Sequence, residues 1–212
     1  MKLRTPYFEI QVETLFIIVS IILLLFKKLH TFFISFYICY LFIVFHELSH
    51  IFIASIFGKN IETLKFSLSG VNVTFARQKY NIKKDEVNNK EITKNILIYI
   101  AGPASNFLLA ILFNKIKMVY EINIFLGLLN LIPIYPLDGY NILNNILSFY
   151  YVDNYICEKK INIINKVMIF IFVIFCILFA VIQKNISSII FILYLYLLNK
   201  TKATNATFNF KF

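Results

Sequence analysis

The sequence predicts an all-α polytopic membrane protein with about six transmembrane helices, and two observations carry this prediction. Hydrophobic residues make up 59% of the 212 residues, and the mean hydropathy is +0.75, whereas a soluble domain has roughly 45–50% apolar residues. Several segments also approach the ~20 apolar residues that a helix needs to cross a hydrocarbon core about 30 Å thick. Most of the chain is therefore expected to face lipid.

Six apolar segments are candidate spans of one domain over residues 1–200, which a short cytoplasmic tail at 201–212 would follow. The spans are predicted at 12–26, 32–57, 96–113, 122–146, 167–182 and 186–198. No small-residue cleavage site of the Ala-x-Ala type follows the first segment, so it is interpreted as a retained span and not as a secretory signal.

The distribution of basic residues predicts the orientation in the membrane. With six spans, sixteen of the 21 Lys and Arg residues fall on the side of the two termini, and five fall on the opposite side. The positive-inside rule therefore places both termini in the cytoplasm. The net charge of +10 is spread between the spans and forms no basic domain, so no direct binding of nucleic acid is expected.

A small membrane-associated β-hairpin is predicted between the second and third helices. Residues 61–75 partly alternate between apolar and polar side chains on either side of Gly70, which is typical of a hairpin. An ordinary loop with scattered apolar residues is the alternative.

A His-Glu-x-x-His motif lies in the second span, at His46, Glu47 and His50. Residues four apart share one face of a helix, so both imidazoles can bind one zinc ion. Glu47 can then act as the general base that accepts a proton from water. Because a charged side chain at mid-membrane costs at least about 2.5 kcal/mol on insertion scales, a catalytic role is favoured over a structural cluster of hydrogen-bonded side chains.

A third zinc ligand is expected at Asp138, because a catalytic zinc takes three protein ligands and keeps one open position. Pro133 and Pro136 prevent a continuous helix before this residue, and Gly139 permits an unusual backbone turn. Irregular backbone at membrane depth is tolerated only beside protein or a water-filled cavity, as a hydrolytic site requires. A simple proline kink with Asp138 near the interface is the alternative.

The third span carries small residues from Ala101 to Ser105, followed by Asn106. Small residues allow helices to approach closely, and an asparagine in a span can hydrogen-bond to a neighbouring helix. Helix packing is therefore predicted at this position.

Three motifs, in this order along the chain, resemble those of the site-2 proteases, a family of intramembrane zinc metalloproteases (peptidase family M50). The His-Glu-x-x-His motif is matched by His46, Glu47 and His50, and a Gly-Pro-x-x-Asn motif by Gly102, Pro103 and Asn106. An Asn-x-x-Pro-x-x-Pro-Leu-Asp-Gly motif is matched by Asn130, Pro133, Pro136, Asp138 and Gly139.

The resemblance implies a metalloendopeptidase with one zinc ion held by two histidines and an aspartate, with a glutamate as base. On this chain the ligands would be His46, His50 and Asp138, and the base would be Glu47. The resemblance also implies that the substrate path is lined by Asn130, Pro133 and Pro136.

Within the family, the chain resembles the branch of stage IV sporulation protein FB in its six compact spans, in the Ile-Ala-Gly-Pro run that ends at Pro103, and in the Pro-Ile-Tyr-Pro-Leu-Asp-Gly run from Pro133 to Gly139. It resembles a short form of that branch, without a CBS domain. This implies a membrane-associated protein substrate, a pro-sigma factor cleaved during sporulation, together with membrane inhibitor or regulatory proteins. The implied location is the bacterial cell membrane, at the outer forespore membrane. The alternative is a zinc-handling membrane transporter or sensor that uses the same ligands, which would need no general base beside the first histidine.

Overall fold

The computed structural model describes residues 2–4, 8–25, 30–67, 70–75, 89–151 and 153–183. This part of the chain is mostly helical with a small sheet, which confirms the predicted fold class at that level. The chain divides into two compact units, Met1–Leu128 and Leu129–Phe212.

Six helices are described in these residues. They are α1 (Thr14–Leu25), α2 (His30–Ile56), α3 (Asn89–Leu112), α4 (Lys117–Asn130), α5 (Asp138–Tyr150) and α6 (Asn154–Gln183). Within the described part of the chain, three helical stretches are long and apolar enough to cross a membrane: Ile34–Ile56, Asn89–Leu112 and Tyr155–Ile182. The segment predicted as a sixth span at 186–198 and the tail at 201–212 lie outside the described residues, so the count of six spans stays a prediction.

The first unit contains a four-stranded sheet in the order β1-β2-β3-β4. The strands are β1 (Lys2–Arg4), β2 (Glu9–Val12), β3 (Ile61–Ser67) and β4 (Gly70–Phe75). The hairpin predicted between the second and third helices is present as the antiparallel pair β3 and β4. The β1–β2 pair is also antiparallel, whereas β2 and β3 run parallel.

Strands β1 and β2 were not expected from the sequence. Val12, which the predicted first span includes, is the last residue of β2, and α1 begins only at Thr14. The four residues of β2 pair with β3, which lies far away in the chain. A short strand stabilised by such a distant partner has little local signature.

The turn end of the β3–β4 hairpin packs on α2. The Tyr40 hydroxyl donates to the carbonyl of Ser67 at 3.2 Å, and the Ser67 hydroxyl donates to the carbonyl of Gly70 at 2.9 Å. Gly70 has φ +130°, which L side chains rarely adopt, and a Cβ on it would lie 3.3 Å from Cγ2 of Ile43. The hairpin is thereby fixed against the part of α2 that precedes His46.

The segment predicted as a fourth span, 122–146, contains two helices separated by a break. Helix α4 ends at Asn130 and α5 begins at Asp138. The break at 131–137 contains both prolines that the sequence singled out as helix breakers, and the peptide bond before the second proline is cis.

In the second unit, α5 packs against α6. Helix α6 begins at Asn154, well before the predicted span at 167–182. Its first turns carry charged residues such as Lys159 and Lys160, so a search for uninterrupted apolar sequence finds only its later part.

Candidate metal centre

The three residues of the His-Glu-x-x-His motif lie together in the C-terminal half of α2. One ligand atom each from His46, Glu47 and His50 can be chosen so that all lie within 4.8 Å of one another. Both histidines are buried, with 4% and 5% of their surface exposed, and Glu47 is half-buried. The structure therefore brings together the two predicted ligands and the predicted base within the apolar stretch Ile34–Ile56.

The ring of His50 is oriented by the backbone of α3. Its Nδ1 lies 2.6 Å from the carbonyl oxygen of Ile98. A backbone carbonyl can only accept a hydrogen bond, so Nδ1 carries the proton and donates it. In the neutral ring the lone pair then lies on Nε2, the form in which histidine binds a metal.

The ring of His46 is held in the same way by a side chain of α3. Its Nδ1 lies 2.7 Å from Oδ1 of Asn106, which is fully buried. The interhelical bond predicted for Asn106 is thus made to the first histidine of the motif. Both imidazoles consequently present Nε2 as the ligand atom.

Gly102 of α3 keeps the space beside these two nitrogens open. A Cβ at this position would lie 2.5 Å from Nε2 of His46 and 2.5 Å from Cε1 of His50, closer than real Cβ atoms come. Gly102 belongs to the small residues from which helix packing was predicted, and in the structure it also leaves room next to the candidate ligand atoms.

The residues present fit a zinc ion. Two neutral imidazole nitrogens with a carboxylate nearby are a donor set that zinc takes in catalytic sites. Each histidine also donates a hydrogen bond from its other ring nitrogen, Nδ1, to an oxygen of α3, as is usual for metal-binding histidines.

The remaining predicted site residues lie at the break between α4 and α5. Asn130 is the last residue of α4, Pro133 and Pro136 lie in the break, and Asp138 is the first residue of α5. The roles of Asp138 as third ligand and of Asn130 and the prolines in substrate binding stay predictions. A carboxylate in the first turn of a helix is favoured by the helix dipole.

One hydrogen bond that the sequence did not suggest, together with a close backbone approach at Gly139, fixes the shape of this break. The backbone N–H of Tyr135 donates to Oδ1 of Asn165 in α6 at 2.9 Å. A Cβ on Gly139 would lie 2.6 Å from the carbonyl oxygen of Ile132, so only glycine lets α5 start this close to the preceding backbone. Burying an asparagine side chain in an apolar helix costs free energy unless the side chain is hydrogen-bonded. The position of Asn165 in such a helix was therefore the sequence signal that it has a polar partner.

Comparison with known proteins agrees with the motifs. The model of peptidase family M50 matches residues 31–121 and 113–175. A zinc metalloprotease of Methanocaldococcus jannaschii is 30% identical over 170 residues, which cover 73% of this chain and 44% of that protein. The chain therefore spans less than half the length of this curated relative.

The fold is also similar to that of a solved protein. The structure of a site-2 protease from Methanocaldococcus jannaschii matches with a TM-score of 0.61 and 24% sequence identity, over 95% of this chain and 94% of that one. At this identity the match shows a shared fold. Since the family model covers well over half of the residues and includes the whole His-Glu-x-x-His motif, the chain belongs to peptidase family M50.

Proposed function

We propose that this chain is an intramembrane zinc metalloprotease. The observation that carries the proposal is the grouping of His46, Glu47 and His50 on an apolar helix, with both imidazoles held so that Nε2 is the ligand atom. Membership of family M50 supports a protease over the zinc transporter or sensor, which would need no base at Glu47.

Each residue of the centre has a distinct task in this proposal. His46 and His50 hold one zinc ion, and Asp138 is proposed as its third ligand. A bound zinc ion polarises a carbonyl oxygen and lowers the pKa of water to about 7. The Glu47 carboxylate accepts the proton of the attacking water and passes it to the leaving amine.

The proposed substrate is a membrane-associated protein, and a pro-sigma factor is the first candidate. Its support is the resemblance to the sporulation branch, particularly in the residues from Pro133 to Gly139. An extended substrate segment would contact the end of α4 through Asn130 and the break at 131–137 through Pro133 and Pro136. The proposed location is the bacterial cell membrane with both termini in the cytoplasm, which the distribution of Lys and Arg supports.

The function is tested with the purified chain reconstituted in liposomes together with a candidate membrane-anchored substrate. We expect a shortened product by gel electrophoresis and mass spectrometry, its loss after a zinc chelator, and its return when zinc is added back. Cleavage that persists in the metal-free protein would contradict the proposal. Zinc flux that tolerates Glu47→Gln, without any cleavage, would favour the transporter.

The third ligand is tested separately by Asp138→Asn. An amide oxygen is a weaker ligand than a carboxylate, so zinc affinity should fall by at least about tenfold, the lower end of what changes next to metal ligands cost. Affinity is measured by competition with a chromophoric chelator.

Asp153→Asn is the matched control for this variant, because its side-chain oxygen only accepts a hydrogen bond from the backbone of Tyr155. We expect the control to bind zinc as the wild type does. Unchanged affinity in Asp138→Asn would remove Asp138 from the ligand set.

A further inference from the structure

We propose that Asn123 of α4 is a positioning residue of the metal centre, which acts through Asn106 on the ring of His46. The inference rests on the metal site of the proposed function but not on proteolysis. Asn123 belongs to none of the three motifs that the sequence analysis singled out.

Burial makes the hydrogen bonds of these two asparagines obligatory. Asn106 and Asn123 are both 0% exposed. A buried amide that lacks hydrogen bonds destabilises the fold, so each of these side chains must find polar partners. The two amides meet each other, at 3.4 Å between Nδ2 of Asn106 and Oδ1 of Asn123.

The direction of every bond in this chain of side chains follows from one backbone carbonyl. The carbonyl of Val119 can only accept, and Nδ2 of Asn123 donates to it at 2.9 Å. Oδ1 of Asn123 must therefore face Asn106, which presents its Nδ2 in return. Oδ1 of Asn106 is then left to face Nδ1 of His46, and this nitrogen must carry the proton.

Asn123 is needed because Asn106 alone does not determine which ring nitrogen of His46 carries the proton. A side-chain amide can turn over by 180° and exchange its oxygen and nitrogen at almost no cost in shape. Turned over, Asn106 would offer N–H to Nδ1 of His46 and force the proton onto Nε2, which could then bind no metal. His50 needs no such help, because its partner is the backbone carbonyl of Ile98.

A second contact between α3 and α4 lies beside the asparagine pair. A Cβ on Gly127, one turn after Asn123, would lie 2.8 Å from the ring of Phe107. Phe107 directly follows Asn106, so the glycine leaves room for this ring against α4 next to the asparagine pair.

The test is the zinc affinity of purified variants, measured by competition with a chromophoric chelator. Asn106→Leu removes the partner of His46 and should weaken zinc binding by about 10- to 100-fold. Asn123→Leu, one bond further away, should weaken it by about 3- to 10-fold. The double variant should bind no more weakly than Asn106→Leu alone, because Asn123 acts only through Asn106.

A spectroscopic measurement separates positioning from general destabilisation. Cobalt is substituted for zinc in the purified protein, because the visible absorption bands of bound cobalt report the geometry of its ligands. We expect Asn106→Leu and Asn123→Leu to shift these bands in the same way. The matched control is Asn145→Leu on α5, which removes a similar bond to a carbonyl one turn earlier and should shift neither the affinity nor the bands.

Asn123→Asp keeps the size of the side chain. As a neutral acid it keeps both bonds, because its O–H can donate to the carbonyl of Val119 and its other oxygen faces Asn106, so it should retain near wild-type zinc affinity. This variant decides the matter if Asn123→Leu does not fold: a loss as large as that of Asn106→Leu would overturn the proposal. Unchanged zinc affinity in a folded Asn123→Leu, or additive losses in the double variant, would also overturn it. A wild-type chain that binds no zinc would instead overturn the proposed function, and this inference with it.

Discussion

Glu47→Gln is expected to slow peptide cleavage by about 10²- to 10⁴-fold, the usual contribution of general acid–base catalysis, without loss of zinc. Glutamine has nearly the shape of glutamate but no basic carboxylate, so it cannot take the proton of the attacking water. The Nδ1 atoms of His46 and His50 keep their hydrogen-bond partners in this variant, so Nε2 of each ring stays available as the ligand atom. Product formation is measured over time in liposomes, and zinc content by elemental analysis of the same preparation.

The matched control is Glu121→Gln on α4, since Glu121 is exposed and pairs with Lys117 at 3.8 Å. This control should cleave at the wild-type rate. If Glu47→Gln lost its zinc, Glu47 would be a ligand and not the base. If it kept full activity, the proposed mechanism would be wrong.

Gly102→Ala is expected to reduce zinc affinity by about 100-fold, at the upper end of what changes around metal ligands cost. The added methyl group would lie 2.5 Å from Nε2 of His46 and equally near the ring of His50. Both rings must turn to avoid it, and turning breaks their Nδ1 bonds to Asn106 and Ile98. Affinity is measured by chelator competition, and cleavage should fall in parallel.

Gly127→Ala is the control for crowding between helices. Its Cβ would also press on a ring, that of Phe107, but this ring binds no metal. We expect Gly127→Ala to lower the melting temperature while its zinc affinity stays near that of the wild type. Wild-type zinc affinity in Gly102→Ala would show that the space beside the imidazoles does not matter.

Much of the helical architecture could be predicted from composition, because uninterrupted apolar segments have few alternatives to helix in a membrane. The break before Asp138 followed from two prolines, which is a purely local effect. Strand β2 could not be predicted, since it pairs with β3, a distant segment, and β1 in turn pairs with β2. Similarly, the start of α6 could not be predicted from hydropathy, because its first turns carry charged residues. The contact of α6 with α5 appears only in the folded chain.

The same distinction between local and distant effects applies to the candidate site. His46, Glu47 and His50 could be predicted because a helix fixes their relation through their spacing alone. The support of His50 could not, because Ile98 contributes only a backbone carbonyl, which no sequence pattern reveals. For Asn106 the sequence predicted an interhelical hydrogen bond but not that His46 is its partner. Asn123 lies in the expected fourth span, but its significance depends on which asparagine it meets on α3.

The parallel pairing of β2 with β3 has a consequence for how the chain is threaded through a bilayer. Strands that share hydrogen bonds must lie on the same face of the membrane, so residues 9–12 and 61–67 are on one face. The chain between them must then cross an even number of times, whatever the distribution of charge. If α2 crosses, as its length and hydropathy allow, the segment that contains α1 must make the return crossing.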